Sequence, residues 1–332
     1  MYTLHNIQVL RAFAALLVVL HHFLPQFNVM GGQNAIISFI STWGFTGVDI
    51  FFVISGFIMV YTSFDKERSY DNAKIFLIHR LSRIFLGYWP FFLAMLLTLY
   101  KYEPVHLQTL DIFGSFVLLN ADMFQLILPV SWSLSYELYF YIMFVLTFFL
   151  SHKQLYIVIP LFILFFIVYS QFSNASFFNS YFLLEFFAGV LLAMYRKHFT
   201  QFWLLPFIIC LLCFTTWYGV THEYKNGMMR ILTFGSSAFF IVLIALILEK
   251  KHIIFQTKLF ENLGNSSYTL YLSHYILIQY YYTLGFRHFF TSSHPIIPLF
   301  GLLTFLILCM LFSFYYYKYI EKPLYKKVIS LF

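Results

Sequence analysis

The chain has 332 residues, of which 61% are hydrophobic and only 10% charged, more apolar surface than one soluble core of this size can bury, so a water-soluble domain is excluded and lipid is the expected solvent. The formal net charge of +7 comes without a basic run long enough to grip a nucleic acid, which excludes that class of partner as well. The 23% of aromatic residues fits a lipid setting, with Phe against acyl tails and Tyr and Trp at headgroup level.

The opening segment carries Arg11 inside its apolar run and shows no small-residue cleavage site, so it is read as an uncleaved first span. A hydrocarbon core about 30 Å thick needs roughly 20 helical residues. On that measure the apolar runs predict spans near 7–24, 44–63, 84–100, 132–150 and 155–170, then 181–195, 202–219, 229–248, 267–284 and 296–317, ten in all. The segment 111–128 is apolar but interrupted by Asn120 and Asp122. If it does not cross, fifteen loop cations fall on one side (Lys66, Arg68, Lys74, Arg80 and Arg83 among them) against four on the other, Lys101, Lys225, Arg230 and Arg287. That bias places both termini in the cytoplasm and makes 111–128 a re-entrant or interfacial element. The expected fold is one all-α transmembrane domain over residues 1–332, a polytopic bundle of about ten helices.

Ionisable groups at membrane depth cost about 2.5–3.5 kcal/mol each on insertion scales, so each invites a functional reading. Arg11 and His22 on the first span are eleven residues apart, within roughly 20° of one helix face and about 16 Å apart along the axis. The topology puts His22, Asp49, Glu137 and Glu185 together in the outer third of the membrane. A histidine beside carboxylates is what a general base needs; the competing reading is that these groups pair only to hold the bundle together. Arg80 and Arg83 sit where a cytoplasmic loop meets the third span and suit a diphosphate, or else form an ordinary basic loop against anionic lipid. Cys210, Cys213 and Cys309 lie in apolar stretches and are expected to pack in the core, with no metal site. Gly44, Gly47 and Gly56 are expected to allow close helix approach.

These residues sit in strings that resemble the acyltransferase 3 family of bacterial membrane O-acyltransferases. Arg11 and His22 match its R-x10-H signature, and Gly44-Phe45-Thr46-Gly47-Val48-Asp49-Ile50-Phe51-Phe52-Val53-Ile54-Ser55-Gly56-Phe57 its second-span motif. Arg80-Leu81-Ser82-Arg83 with Tyr88-Trp89, and Trp132-Ser133-Leu134-Ser135-Tyr136-Glu137 running on to Tyr141, are similar to its third-span and acidic-aromatic motifs. Leu263-Gly264 through Ser267-Tyr268, Tyr271-Leu272 and His274 resembles the penultimate-span motif, and Glu321-Lys322-Pro323 the closing one. Where the family usually has a proline before Tyr-Trp, this chain has Leu86.

The resemblance implies a multi-pass protein of the bacterial cell membrane that moves an acyl group, expected to be acetyl, from cytoplasmic acetyl-coenzyme A to a hydroxyl of a lipid-linked or surface saccharide. It implies His22 as catalytic base or transient acyl carrier, and Asp49 and Glu137 as orienting carboxylates. Arg11, Arg80 and Arg83 become donor-site cations, and Ser55, Tyr141, Glu185 and His274 channel or acceptor contacts. The acyl-coenzyme A is then a co-substrate, with no tightly bound cofactor, no metal and no attached extracytoplasmic hydrolase-like domain. Two other readings compete. His106 to Asp111 fits the H-x4-D pattern of glycerolipid acyltransferases, and ten spans with buried charges also suit a transporter or flippase.

Overall fold

The computed structural model describes residues 4–64, 66–172, 180–255 and 257–332. Among them the regular structure is helical throughout. The chain begins with α1 (His5–Val29), α2 (Ala35–Thr42), α3 (Thr46–Ser63) and α4 (Tyr70–Tyr102), followed by the short α5 (Pro104–Leu107) and α6 (Ile112–Val117). Next come α7 (Trp132–Val145), α8 (His152–Phe172), α9 (Leu183–Met194), the one-turn α10 (Arg196–Phe199) and α11 (Leu205–Thr221). The short α12 (Gly227–Arg230) passes through a π turn at Ile231–Gly235 into α13 (Ser236–Lys250). The chain ends with α14 (Lys258–Asn265), α15 (Ser267–Thr283), α16 (Ile296–Tyr316), a second π turn at Tyr317–Glu321, and α17 (Lys322–Ile329).

Seven helical stretches among the described residues are long and apolar enough to cross a bilayer: His5–Val29, Thr46–Ser63, Tyr70–Tyr102, Pro129–Phe149, Phe202–Thr221, Gly227–Lys250 and Ile296–Ile329. Of the other three expected spans, 155–170 lies within the 21-residue α8, 181–195 contains the shorter α9, and 267–284 is α15, shorter and more polar. α15 carries Thr269, Ser273, His274 and Gln279 along its length. The segment 111–128 contains one helix, the six residues of α6, only about 9 Å long and unable to cross. Asp111 starts it by accepting the Gly114 N–H at 2.8 Å, and its other oxygen takes Asn120 Nδ2 at 3.0 Å. Leu126, Ile127 and Leu128 then bury themselves in the bundle. Asp111 is thereby engaged in shaping this element, while His106 lies exposed on α5.

Three expectations are corrected. The third span begins at Tyr70, capped by Ser69, whose Oγ accepts the Asn72 N–H at 3.3 Å. Arg80 and Arg83 therefore lie within α4 rather than in a loop, and the helix passes unbroken through Leu86, with its proline at Pro90. Arg230 is buried rather than a loop charge. Cys210 and Cys213 are exposed on the outer face of α11, a peripheral helix, so only Cys309 packs in the core.

α3 is the central helix, packed most extensively on α9 and also on α1 and α13. Glycine makes the first contact possible: a Cβ on Gly56 would stand 2.0 Å from the Phe186 carbonyl oxygen, and one on Gly189 2.1 Å from that of Val53. The two backbones touch where any larger residue would force them apart. Around this contact the Phe186 ring stacks on Phe140 and meets Phe52 at a tilt, with centroids 4.5 and 4.6 Å away. The start of α1 is fixed by Glu249 at the end of α13, which accepts the N–H groups of His5 at 2.9 Å and Asn6 at 2.6 Å, orphan donors of a helix N-terminus.

Candidate active site

A cavity of about 370 Å³ lies among α1, α3, α4, α7 and α15. Its cations are Arg11, Arg80 and Arg83, and its acid is Glu137. Ser55 Oγ donates to Glu137 Oε1 at 2.8 Å, and the Tyr141 hydroxyl donates to the same oxygen. Glu137 and Tyr141 are one helical turn apart on α7, so their bond follows from i, i+4 geometry. Arg80 stands over the Tyr141 ring, 5.5 Å from its centroid, and donates to Thr62 Oγ1 at 3.3 Å. Arg11 donates to Gln8 Oε1 at 3.2 Å, one turn back on α1. A second cavity of about 270 Å³, shared at Gln8, Arg11, Arg83 and Tyr268, continues toward Glu321 and Tyr325. Glu321 there accepts the Thr269 hydroxyl. Helix-borne guanidiniums opening into a half-enclosed space can bind phosphate or carboxylate oxygens bidentately.

Tyr271 closes the far side of the first cavity. Its hydroxyl donates to the Val130 carbonyl at 2.7 Å and lies 2.7 Å from Ser133 Oγ. One turn further along α15 its ring is 6.0 Å from that of His274, and His274 in turn meets His22, Nε2 to Nδ1, at 3.2 Å. Two backbone carbonyls settle the tautomers of this pair. His274 Nδ1 faces the Leu270 carbonyl at 3.2 Å and must carry a proton to donate to it, which leaves Nε2 as the acceptor. His22 Nδ1 faces both the Val18 carbonyl at 3.0 Å and that acceptor, so it too is protonated. The lone pair of neutral His22 is therefore on Nε2, the nitrogen a general base uses to take a proton.

The carboxylates lie elsewhere. On α1 and α3, a Cβ on Gly44 would meet the Leu17 carbonyl and one on Gly47 that of Ala14. The helices therefore run antiparallel, with residue pairs summing to 61, and Ser55 comes level with Asn6. The Ser55–Glu137 bond is then on the order of 20 Å along α1 from His22. Asp49, level with Ala12, is bonded by Arg230 Nη2 at 2.9 and 3.2 Å, with the guanidinium between the rings of Phe45 and Phe182. Glu185 is buried beside Gly235, in the π turn that follows Arg230, and its carboxyl is hydrogen-bonded to that of Asp49. The shared depth expected from the sequence is thus resolved into three sites: His22 with His274, Asp49 with Arg230 and Glu185, and Glu137 with Ser55 and Tyr141.

Sequence reasoning named Ser133 and Tyr271 only within motif strings and Arg230 only as a loop cation, giving none of them a role in the site. Arg230 had a signal, since an arginine at the head of an apolar run and an aspartate inside one each need a partner. Tyr271 shares a face of α15 with Ser267 and His274 at i, i+4, i+7 spacing, which marks a functional face only once His274 is paired. Among the described residues no group of His, Cys, Asp and Glu could hold a metal.

The fold and site define a multi-pass helical membrane protein with an arginine-bearing cavity inside its bundle. The model of the acyltransferase domain family, acyltransferase 3, matches residues 4–318, nearly the whole chain, and the protein belongs to that family. No curated protein and no solved structure matches it.

Proposed function

We propose that the protein transfers an acyl group, acetyl in the simplest case, from cytoplasmic acyl-coenzyme A to a hydroxyl of a lipid-linked or surface saccharide. The observation that carries this reading is an arginine-bearing cavity whose far wall, Tyr271, abuts a histidine pair whose tautomers put the His22 lone pair on Nε2. Arg80 and Arg83 hold the phosphates of the donor, Arg11 continues the positive wall inward, and the thioester arm extends past Tyr271. His22 Nε2 accepts the proton of the sugar hydroxyl as its oxygen attacks the thioester carbonyl. The C–S bond breaks, and the thiolate leaves to be protonated. His274 positions His22, whereas the bond network of Glu137 shapes the cavity wall at Ser55 and Tyr141. Positive-inside charge supports both termini in the cytoplasm, so that donor and acceptor arrive from opposite faces. A transporter also fits buried charges, but a transported solute makes no use of a tautomer-locked base.

The test is mass spectrometry of surface polysaccharide from cells carrying wild-type protein or His22→Ala at matched membrane levels. Loss of an O-acetyl increment in the variant alone supports the mechanism. Equal acetylation in both removes His22 from the chemistry, and none with wild type removes acetyl transfer to that glycan.

A further inference from the structure

A third cavity, about 300 Å³, opens between the ends of α9, α10 and α13 and is separated from the arginine-lined cavity by Leu4 and Tyr61, which line both. Three cations converge on it: Arg196, Lys197 and Lys250. Its one carboxylate, Glu249, makes no ion pair with them, both oxygens accepting backbone N–H groups from His5 and Asn6, so three cations face a single anion. Lys250 Nζ donates to the Thr200 carbonyl at 3.0 Å and to Thr200 Oγ1 at 3.4 Å, and Arg196 lies 4.9 Å from the centroid of the Tyr61 ring. Among the described residues none of the three is in an ion pair. Immediately beyond them Phe202 and Trp203, 76% exposed, project outward, with Lys251 over the Phe202 ring at 5.4 Å. A basic pocket between helix ends with aromatic side chains beside it matches the layout of a phosphate head and its attached acyl chains.

We propose that this cavity is a binding site for a phosphate-bearing ligand, the headgroup of an anionic membrane phospholipid, distinct from the donor site. Arg196, Lys197 and Lys250 contact the phosphate, and Phe202 and Trp203 lie along the acyl chains. Because Tyr61 is common to this pocket and the main cavity, an occupied headgroup site also holds one wall of the main cavity in place.

The full-length protein in detergent is titrated with phosphatidylglycerol, with phosphatidylcholine as control, and bound lipid is counted by native mass spectrometry. At about 1 kcal/mol per basic residue near a lipid surface, Arg196→Gln/Lys250→Gln should weaken phosphatidylglycerol binding roughly thirtyfold. Lys197→Glu, whose side chain makes no hydrogen bond among the described residues, should do about the same, whereas Lys101→Gln/Lys225→Gln, away from the pocket, should not. Unchanged affinity in both pocket variants overturns the site. Wild-type protein that is stabilised against heat by inorganic phosphate, retains no phosphatidylglycerol, and loses that stabilisation in Lys197→Glu overturns the lipid assignment in favour of a soluble phosphate.

Discussion

His22 makes its case through the proton on its other nitrogen. Its removal should lower transfer about 10²–10⁴-fold, the range of general-base catalysis. His274→Ala should have a smaller effect, roughly tenfold, because the Val18 carbonyl still holds His22 Nδ1 protonated. Single-turnover acetyl transfer at saturating donor would separate the two. Asp49, Glu185 and Arg230 form a second residue-scale test. One guanidinium serves two buried carboxyls, and only Asp49 is bonded to it. Asp49→Asn removes the carboxylate bonded to the buried Arg230, leaving only Glu185 near it, and should destabilise by up to about 3–5 kcal/mol. Glu185→Gln keeps a side chain of the same shape that can still donate to Asp49, and should cost only about 0.5–1.5 kcal/mol. Thermal unfolding in detergent reads both. Arg11 and His22 were legible as a pair from their spacing, but the partners of Asp49 and His22 were not, since these lie 181 and 252 residues away.

The α3–α9 contact is the element on which the cavity depends. Ser55 reaches Glu137 from the position next to Gly56, so forcing α3 from α9 also moves the cavity wall. Gly56→Val should cost at least about 1–3 kcal/mol by overpacking, and should reduce transfer together with stability, where Ser55→Ala reduces only the former. α4 makes a different prediction. Because Arg80 and Arg83 are carried on a continuous helix, their geometry is set before the donor arrives. Arg83→Ala, removing charge-assisted bonds of about 1.5–3 kcal/mol, should raise the donor KM roughly ten- to a hundredfold with little change in kcat. Periodicity in the sequence identified every one of these helices. It placed the start of α4 fourteen residues late, because the first four turns, with Asp71, Lys74, Arg80 and Arg83, are too polar to read as a span although Ser69 caps them.

Across the whole molecule, orientation is the property most directly open to measurement. Lys74→Cys should react with a membrane-impermeant maleimide only after the membrane is opened, and Lys225→Cys in intact cells. The native cysteines should stay silent, since Cys210 and Cys213 face the lipid zone and Cys309 is buried. The reverse pattern would invert the donor and acceptor faces. Composition and hydrophobic patterning determined that the chain is a helical membrane protein and roughly where its helices lie, and the bias of loop cations that 111–128 does not cross. These follow from local rules, because a backbone in lipid must satisfy its own hydrogen bonds and a span must match the bilayer thickness. The tertiary structure decided which polar groups meet: Glu137 with Ser55, Asp49 with Arg230, His22 with His274. Those pairings depend on the register between helices distant in sequence, set by backbone contacts such as Gly47 on Ala14 and Gly56 on Phe186, and no periodicity within a single helix encodes that register.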